Sequence, residues 1–339
     1  MEPNSFKNLP SQLTTNILSR LPLRSISISK CVCKPWLNLL QSDDFVKSKL
    51  KTPPALIRLM PDTNSTQCAI FEFKDEDEAD AESHDLQLFP LADFDIPHGN
   101  SAAIYRARQT NGLLLLYSSV ERHVYICNPI TREYIELCCP ADYISILNFG
   151  FGVSKLSGKY KVICIIVAGL GSGSTFVYTL GTGIWRRVEP GPASGRTFDF
   201  NAYVVCNGNL HWTVYDSAKV QICAFDLETE CFGVLSPPAV VYGLAVDVKL
   251  IVWRDCLCLY YRLDDKVVIW QMKEYQVKES WTIKCEISID YSNGFGVNRN
   301  MNVYPIKIFE NVDDIASVMV YTPSLFSLKN FGGENVISF

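Results

Sequence analysis

NGLLLLYS (Asn111 to Ser118), VYICNP (124 to 129) and EYIEL (133 to 137) form a strand-turn-strand-turn-strand phrase that the chain repeats. The order returns as NGNLHWTV (207 to 214), ICAFDL (222 to 227) and CFGVL (231 to 235), and again as DCLCLYYR (255 to 262), VVIWQM (267 to 272) and SWTIKCEI (280 to 287). Between the first two sets lie KYKVICII (159 to 166), TFVYTL (175 to 180) and IWRRVE (184 to 189). With Leu114, Val162, Leu210 and Leu257 as equivalents the spacings are 48, 48 and 47 residues. Short apolar runs separated by turn residues indicate an all-β domain, and a fixed period of this length is the size of a β-propeller blade. A β-sandwich also has short strands, but it does not repeat a whole strand-turn grammar four times. The 285 residues from 55 to 339 accommodate about six such units, with the first (about 55 to 98) and last (about 304 to 339) the most degraded in motif.

The turn chemistry supports this reading. Asn128-Pro129-Ile130-Thr131 and Asp226-Leu227-Glu228-Thr229 carry side chains that bond their own backbone, and Asn207-Gly208 supplies positive φ for a hairpin. His211 and Trp212 invite an acid/base or stacking role, but their place in a repeated strand makes them packing residues. GLGSGS (169 to 174) looks like a phosphate loop and leads into a strand, not a helix, so it reads as a hairpin turn.

Upstream of the repeat the period changes to that of a helix. Leu9, Leu13, Ile17 and Leu21 recur every four positions with Leu18 beside them, which lays an apolar stripe on one helix. Pro10 suits a first turn and Pro22 stops the helix. Leu23, Ile26, Ile28 and Val32 follow, and Pro35 then opens a third helix with Trp36, Leu39 and Leu40, Trp36 being expected to pack between Leu13 and Ile17. Three short helices cannot enclose that much apolar surface alone. Either the rest of the chain covers it, or it is a docking face for another protein.

Leu9-Pro10, Leu13, Ile17-Leu18, Leu21-Pro22, VCKPW (32 to 36), Leu39-Leu40, Phe45 and Leu50 resemble an F-box, the segment that binds Skp-type adaptors in cullin RING ubiquitin ligases. The resemblance implies that Leu9, Pro10, Leu13, Ile17, Leu18, Leu21, Pro22, Val32, Trp36 and Leu39 are the adaptor-binding residues. The pattern departs from the family at Asn16, where an acidic residue is usual, and at Ser27 and Ser29, poor helix formers that should shorten the second helix. Downstream, Asn111-Gly112, Asn128-Pro129-Ile130-Thr131, FGFGVS (149 to 154) with KYKV (159 to 162), NGNLHW (207 to 212) and Asp226-Leu227-Glu228-Thr229 resemble the plant F-box-associated family, including S-locus F-box-like and F-box/kelch-repeat proteins. Paired glycines of the kelch type occur only at Gly332-Gly333, which favours the F-box-associated type.

Composition narrows the function classes. A chain of 339 residues with 48% hydrophobic and 20% charged content has room for one small and one large domain. The longest apolar run, Val162 to Leu170, is far too short to span a bilayer, and MEPNSFKNLP lacks the basic start and apolar core of a signal peptide, so a cytoplasmic or nuclear location is expected. Thirteen cysteines without an export signal are expected to stay reduced, and no C-x-x-C pair or histidine cluster suggests a metal. Residues 1 to 50 carry seven Lys/Arg against three Asp/Glu, while the chain as a whole has net charge −5, which argues against nucleic acid. Residues 72 to 85 hold eight acids against Lys74 and read as a solvated loop, with recognition of a basic target as the second reading. Tyr291 to Asn302 and Gly191 to Thr197 are further polar loops suited to recognition.

The expected architecture is therefore an α-helical F-box (1 to 50) followed by an all-β, F-box-associated, kelch-like propeller (51 to 339). The resemblance implies a substrate-recognition subunit of an SCF ubiquitin ligase, with a Skp-type adaptor and through it cullin and RING subunits as partners, a target protein on the propeller, no cofactor and no enzymatic activity. A propeller enzyme, a glycosidase or oxidase with a helical cap, is the alternative; convergent carboxylates or metal ligands would favour it. A non-degradative F-box role is a third.

Overall fold

The computed structural model describes residues 9–21, 23–40, 42, 45, 55–61, 65–73, 88–97, 104–118, 123–140, 146–168, 172–189, 197–198, 203–216, 219–241, 248–263, 266–288 and 317–338. Pro22, Leu50, residues Lys74 to Asp85 of the acidic stretch and the polar stretch from Tyr291 to Asn302 lie outside them, as do Gly169 to Gly171 and most of the stretch from Gly191 to Thr197; Glu72, expected in a solvated loop, lies in a strand. Three helical segments, α1 (Ser11–Ser19), α2 (Leu23–Ser29) and α3 (Lys34–Leu40), are followed by strands.

Each sheet is antiparallel. The first contains β1 (Ala55–Pro61), β2 (Ser65–Phe73) and β3 (Leu88–Pro97), and the second β4 (Ile104–Thr110), β5 (Leu113–Ser118), β6 (His123–Asn128) and β7 (Glu133–Cys138). The third comprises β8 (Ile146–Val153), β9 (Tyr160–Ala168), β10 (Ser172–Thr179) and β11 (Trp185–Val188). The fourth has β12 (Thr197–Phe198), β13 (Val204–Cys206), β14 (Asn209–Asp216), β15 (Lys219–Asp226) and β16 (Phe232–Leu235); the fifth has β17 (Val248–Trp253), β18 (Cys256–Leu263), β19 (Lys266–Met272) and β20 (Trp281–Ser288). β9 and β10 pair from Ala168 opposite Ser172, so the glycine-rich stretch joins two paired strands.

The expected count of six blades is corrected to five sheets among the described residues. The cause is the fate of the last stretch. β21 (Ser317–Tyr321) pairs with β1 at the edge of the first sheet, and β22 (Val336–Ser338) pairs with β7 at the edge of the second. Of the stretch expected to form a sixth unit, the described strands therefore complete the first two sheets.

Leu114, Val162, Leu210 and Leu257 are all buried, and each lies in the strand that follows the first hairpin of its sheet. Asn111-Gly112 (φ 48 and 79) and Asn207-Gly208 (φ 57 and 79) form those hairpins in the second and fourth sheets, both residues left-handed as a two-residue turn of this twist requires. Asn128 Oδ1 accepts from the N–H groups of Ile130 and Thr131 at 2.9 and 3.4 Å, and Asp226 Oδ1 from Glu228 and Thr229 at 2.7 and 3.1 Å, so each side chain bonds its own turn.

The chain divides into two compact units, Met1–Cys138 with Val312–Phe339, and Cys139–Asn311. In the first, Ile57, Leu59, Ile70, Leu114, Leu116, Cys127 and Tyr321 form a common core between its two sheets. In the second, Trp212, Phe225, Leu210 and Ile163 make one core, and Leu250, Leu257, Leu259, Ile222 and Trp281 another. Six cysteines (68, 127, 164, 206, 223 and 258) are buried, as expected of a small apolar side chain in these cores.

Candidate functional site

The N-terminal helices have two faces with different fates. α1 starts at Pro10, whose carbonyl accepts from the N–H groups of Leu13 and Thr14 at 3.0 and 3.1 Å, and Asn16 Oδ1 accepts from Arg20 Nε at 3.1 Å near its end. Leu18 (1% exposed), Ile26, Leu40 and Phe45 form a closed core, with Leu21, Trp36 and Leu39 packed partly buried around it. Leu13, Ile17, Ile28 and Val32 remain 50%, 51%, 62% and 60% exposed. Of the residues singled out in the sequence, Pro10 also lies on the outside and Leu9 is half-buried. Trp36, expected between Leu13 and Ile17, packs partly buried against the core around Leu18, while those two residues are about half exposed.

That core is not made by the helices alone. Leu325, 4% exposed, completes it, and Phe326 and Ile130 pack against it. Segment 322–328 is held in turn by the second sheet. Asn128 Nδ2 donates to the carbonyls of Ser324 and Phe326 at 3.0 and 2.6 Å, and the Tyr321 hydroxyl donates to Gly112 O at 2.9 Å. The buried Glu133 carboxylate accepts from Thr131 Oγ1 at 3.1 Å, from the Ser327 hydroxyl at 2.9 Å and from the Leu328 N–H at 2.8 Å. Lys30, in the turn after α2, is pulled below the ordinary lysine range by burial, and the Glu133 charge acts against that shift. The chain thus covers part of the helical apolar stripe with its own residues, while Leu13, Ile17, Ile28 and Val32 stay exposed.

The residues that invited chemistry are structural. His211 is fully buried with its Nε2 2.8 Å from the Tyr275 hydroxyl, which also accepts from Asn209 Nδ2 at 2.5 Å. Burial pulls the imidazole pKa down to about 4, against weaker opposing bonds to the backbone of Val204 and Asn209. Trp212 sits in the core edge-on to Phe232. Lys161 Nζ donates to Leu227 O at 2.5 Å and lies 2.9 Å from Glu230, whose second oxygen meets Arg186 at 2.6 Å. Burial acts to raise the Glu230 carboxyl, but the bonds from Lys161 and Arg186 hold it below the usual range. Among the described residues no group of three or more His, Cys, Asp or Glu is arranged to hold a metal, and no helix is long and apolar enough to cross a membrane.

Comparison with known proteins agrees with both halves of this architecture. Residues 6–48 match the F-box domain, and residues 86–321, more than half of the chain, match the F-box associated beta propeller domain. The chain belongs to the F-box associated beta propeller family. Three Arabidopsis thaliana relatives illustrate the similarity. F-box protein At3g07870 is 26% identical over 344 residues, covering 91% of this chain and 79% of that one. F-box protein CPR1 is 24% identical over 306 residues (81% and 71%), and F-box protein At5g18160 27% identical over 278 (79% and 67%). In this F-box protein the exposed residues Leu13, Ile17, Ile28 and Val32 fall within the matched F-box, and the anchoring residues Asn128, Ile130 and Glu133 fall within the matched propeller domain. Sequence reasoning missed Leu325 and Glu133, which carry no motif and gain their roles only through pairing between distant segments.

Proposed function

We propose that this chain is the substrate-recognition subunit of an SCF-type E3 ubiquitin ligase. The outer face of its F-box docks on a Skp-type adaptor, which connects it to cullin and RING subunits. Its propeller domain holds a target protein, and catalysis is proximity supplied to other subunits. The role requires no cofactor and no reaction at the chain itself, and it is exercised in the cytoplasm or nucleus. One observation carries the reading: the F-box core is closed by Leu325 on one side, while Leu13, Ile17, Ile28 and Val32 stay exposed on the other. Four large exposed apolar side chains on a small helical module are what a partner would cover.

The test is co-expression of the full chain with a Skp-type adaptor, followed by affinity capture and size exclusion. The wild-type chain should elute with the adaptor, and Leu13→Glu with Ile17→Glu should abolish co-elution while leaving the urea midpoint of the free chain unchanged. Retained co-elution of that variant would sink the proposal. Capture of bound proteins under proteasome inhibition would then identify the target.

A further inference from the structure

The second sheet brings three reactive side chains together at one end. In the β6–β7 ladder His123 is opposite Cys138 and Tyr125 is opposite Glu136, so Glu136 and Cys138, two apart on β7, share a face with His123. Cys138 and Glu136 are on the exposed side of β7. His123 Nε2 lies 3.9 Å from Cys138 Sγ, and its Nδ1 lies 2.5 Å from Glu136 Oε1. The ring is steadied edge-on against Tyr125, 6.4 Å between centroids, and Tyr125 in turn against Tyr134 at 6.1 Å. A nucleophile, a base and a carboxylate orienting the base thus stand in the order that activates a thiol. The F-box docking face uses none of them.

We propose that Cys138 is a modification site for hydroperoxides, with His123 as the base that takes the thiol proton and Glu136 as the residue that positions it. The Glu136 carboxylate accepts the Nδ1 proton, which leaves Nε2 as the free acceptor toward the sulfur. The Cys138 proton passes to Nε2, and the sulfur electron pair forms an S–O bond as the O–O bond of the peroxide breaks. The departing hydroxide (or alkoxide) takes the proton from the imidazolium and leaves as water (or alcohol). Sulfur is oxidised by two electrons to the sulfenic acid, and the peroxide is reduced by two. Exposure of the thiol lets the reagent reach it.

The chain supplies its own controls, because Cys31 and Cys231 are also exposed and have no histidine bonded to the sulfur among the described residues. The full chain would be treated at pH 7 with hydrogen peroxide in the presence of dimedone and, separately, with iodoacetamide, and each cysteine followed by peptide mass spectrometry. Cys138 should react faster than Cys31 and Cys231 with both reagents, by on the order of tenfold, and His123→Gln should remove that advantage. Glu136→Gln should reduce it partially. An unchanged near-ultraviolet circular dichroism spectrum establishes that the variants fold, and the comparison among cysteines within the wild-type chain needs no variant. Equal labelling of Cys138, Cys31 and Cys231, or an advantage untouched by His123→Gln, overturns the proposal.

Discussion

Adjacent residues on α1 are assigned opposite duties, and truncating each to alanine separates them. Leu18 is 1% exposed in the core with Ile26, Leu40, Phe45 and Leu325, whereas Ile17 is 51% exposed. Leu18→Ala removes buried methyl groups and leaves a cavity between the F-box and segment 322–328, at a cost of about 2–5 kcal/mol. A module of three short helices opens by itself for only a few kcal/mol, so the loss falls on the module and not on the whole chain. Ile17→Ala removes atoms already half in water and replaces a β-branched residue by a better helix former, so stability should move by no more than about 0.5 kcal/mol.

Hydrogen exchange of the full chain, read by mass spectrometry, is the assay. At a 3 kcal/mol loss, amides in α1 to α3 should exchange on the order of a hundredfold faster in Leu18→Ala, while those in the third to fifth sheets keep their rates. In Ile17→Ala the change in the helices should stay below about threefold. Adaptor affinity should separate the two differently, with Ile17→Ala weakening binding by at least about fivefold despite its intact fold. Equal acceleration of exchange in both variants would refute the division of faces, and so would an unaltered F-box in Leu18→Ala.

Three further outcomes follow from the packing. Gly112→Ala should cost about 2–4 kcal/mol in urea denaturation, because φ is 79° there and a Cβ would run into Ser324 Cβ and come within 2.8 Å of Ser324 N and Thr322 O. Glu230→Gln should cost roughly 3–5 kcal/mol, since it leaves the buried Lys161 ammonium without its carboxylate; Arg186→Gln, at the exposed end of the same network, should cost under about 1 kcal/mol. His211 has a folded pKa of about 4, below its unfolded value, so the unfolded chain binds more protons and stability falls as pH drops from about 6.5 toward 4. The loss attributable to this residue should reach about 2 kcal/mol at pH 5, and a pH series of urea midpoints should show a flatter slope for His211→Gln than for the wild-type chain.

What the sequence made legible was whatever repeats locally. The equivalence of Leu114, Val162, Leu210 and Leu257 depends on a strand-turn phrase within each unit, and all four are buried in the same strand of their sheets. Turns set by Asn111-Gly112, Asn128 and Asp226 were equally readable, because each is decided within four residues. Pairing across the sequence was not. Nothing in SVMVY or VIS announces that β21 completes the first sheet and β22 the second, and a count by length therefore gave one unit too many. The faces of α1 were hidden for the same reason. An apolar stripe wide enough to hold Leu13, Ile17 and Leu18 does not say which side is covered until Leu325 arrives from the opposite end of the sequence. No histidine cluster was visible in the sequence because His123 meets Glu136 and Cys138 through cross-strand register, not spacing.

The stretch from β21 to β22 gives the F-box a defined seat. Tyr321 is fixed to Gly112, Ser324 and Phe326 to Asn128, Leu325 to the helical core, and Ser327 and Leu328 to Glu133. A helical module joined to its body only by a flexible linker would sample many orientations, and holding a target near a second protein would then gain little from proximity. Here β21 and β22 belong to two different sheets, and the residues between them close the F-box core, so turning the module requires opening that core or breaking the bonds at Asn128 and Glu133. The buried polar hub makes this costly in a specific way: moving segment 322–328 would take two donors, the Ser327 hydroxyl and the Leu328 N–H, away from the Glu133 carboxylate and leave it only Thr131 Oγ1 among the three. Closing the inner face of the F-box with the chain's own residues thus does two things at once. It orients the module against the first two sheets, and it leaves Leu13, Ile17, Ile28 and Val32 exposed, so that a partner bound there, as proposed, would be held at a fixed geometry.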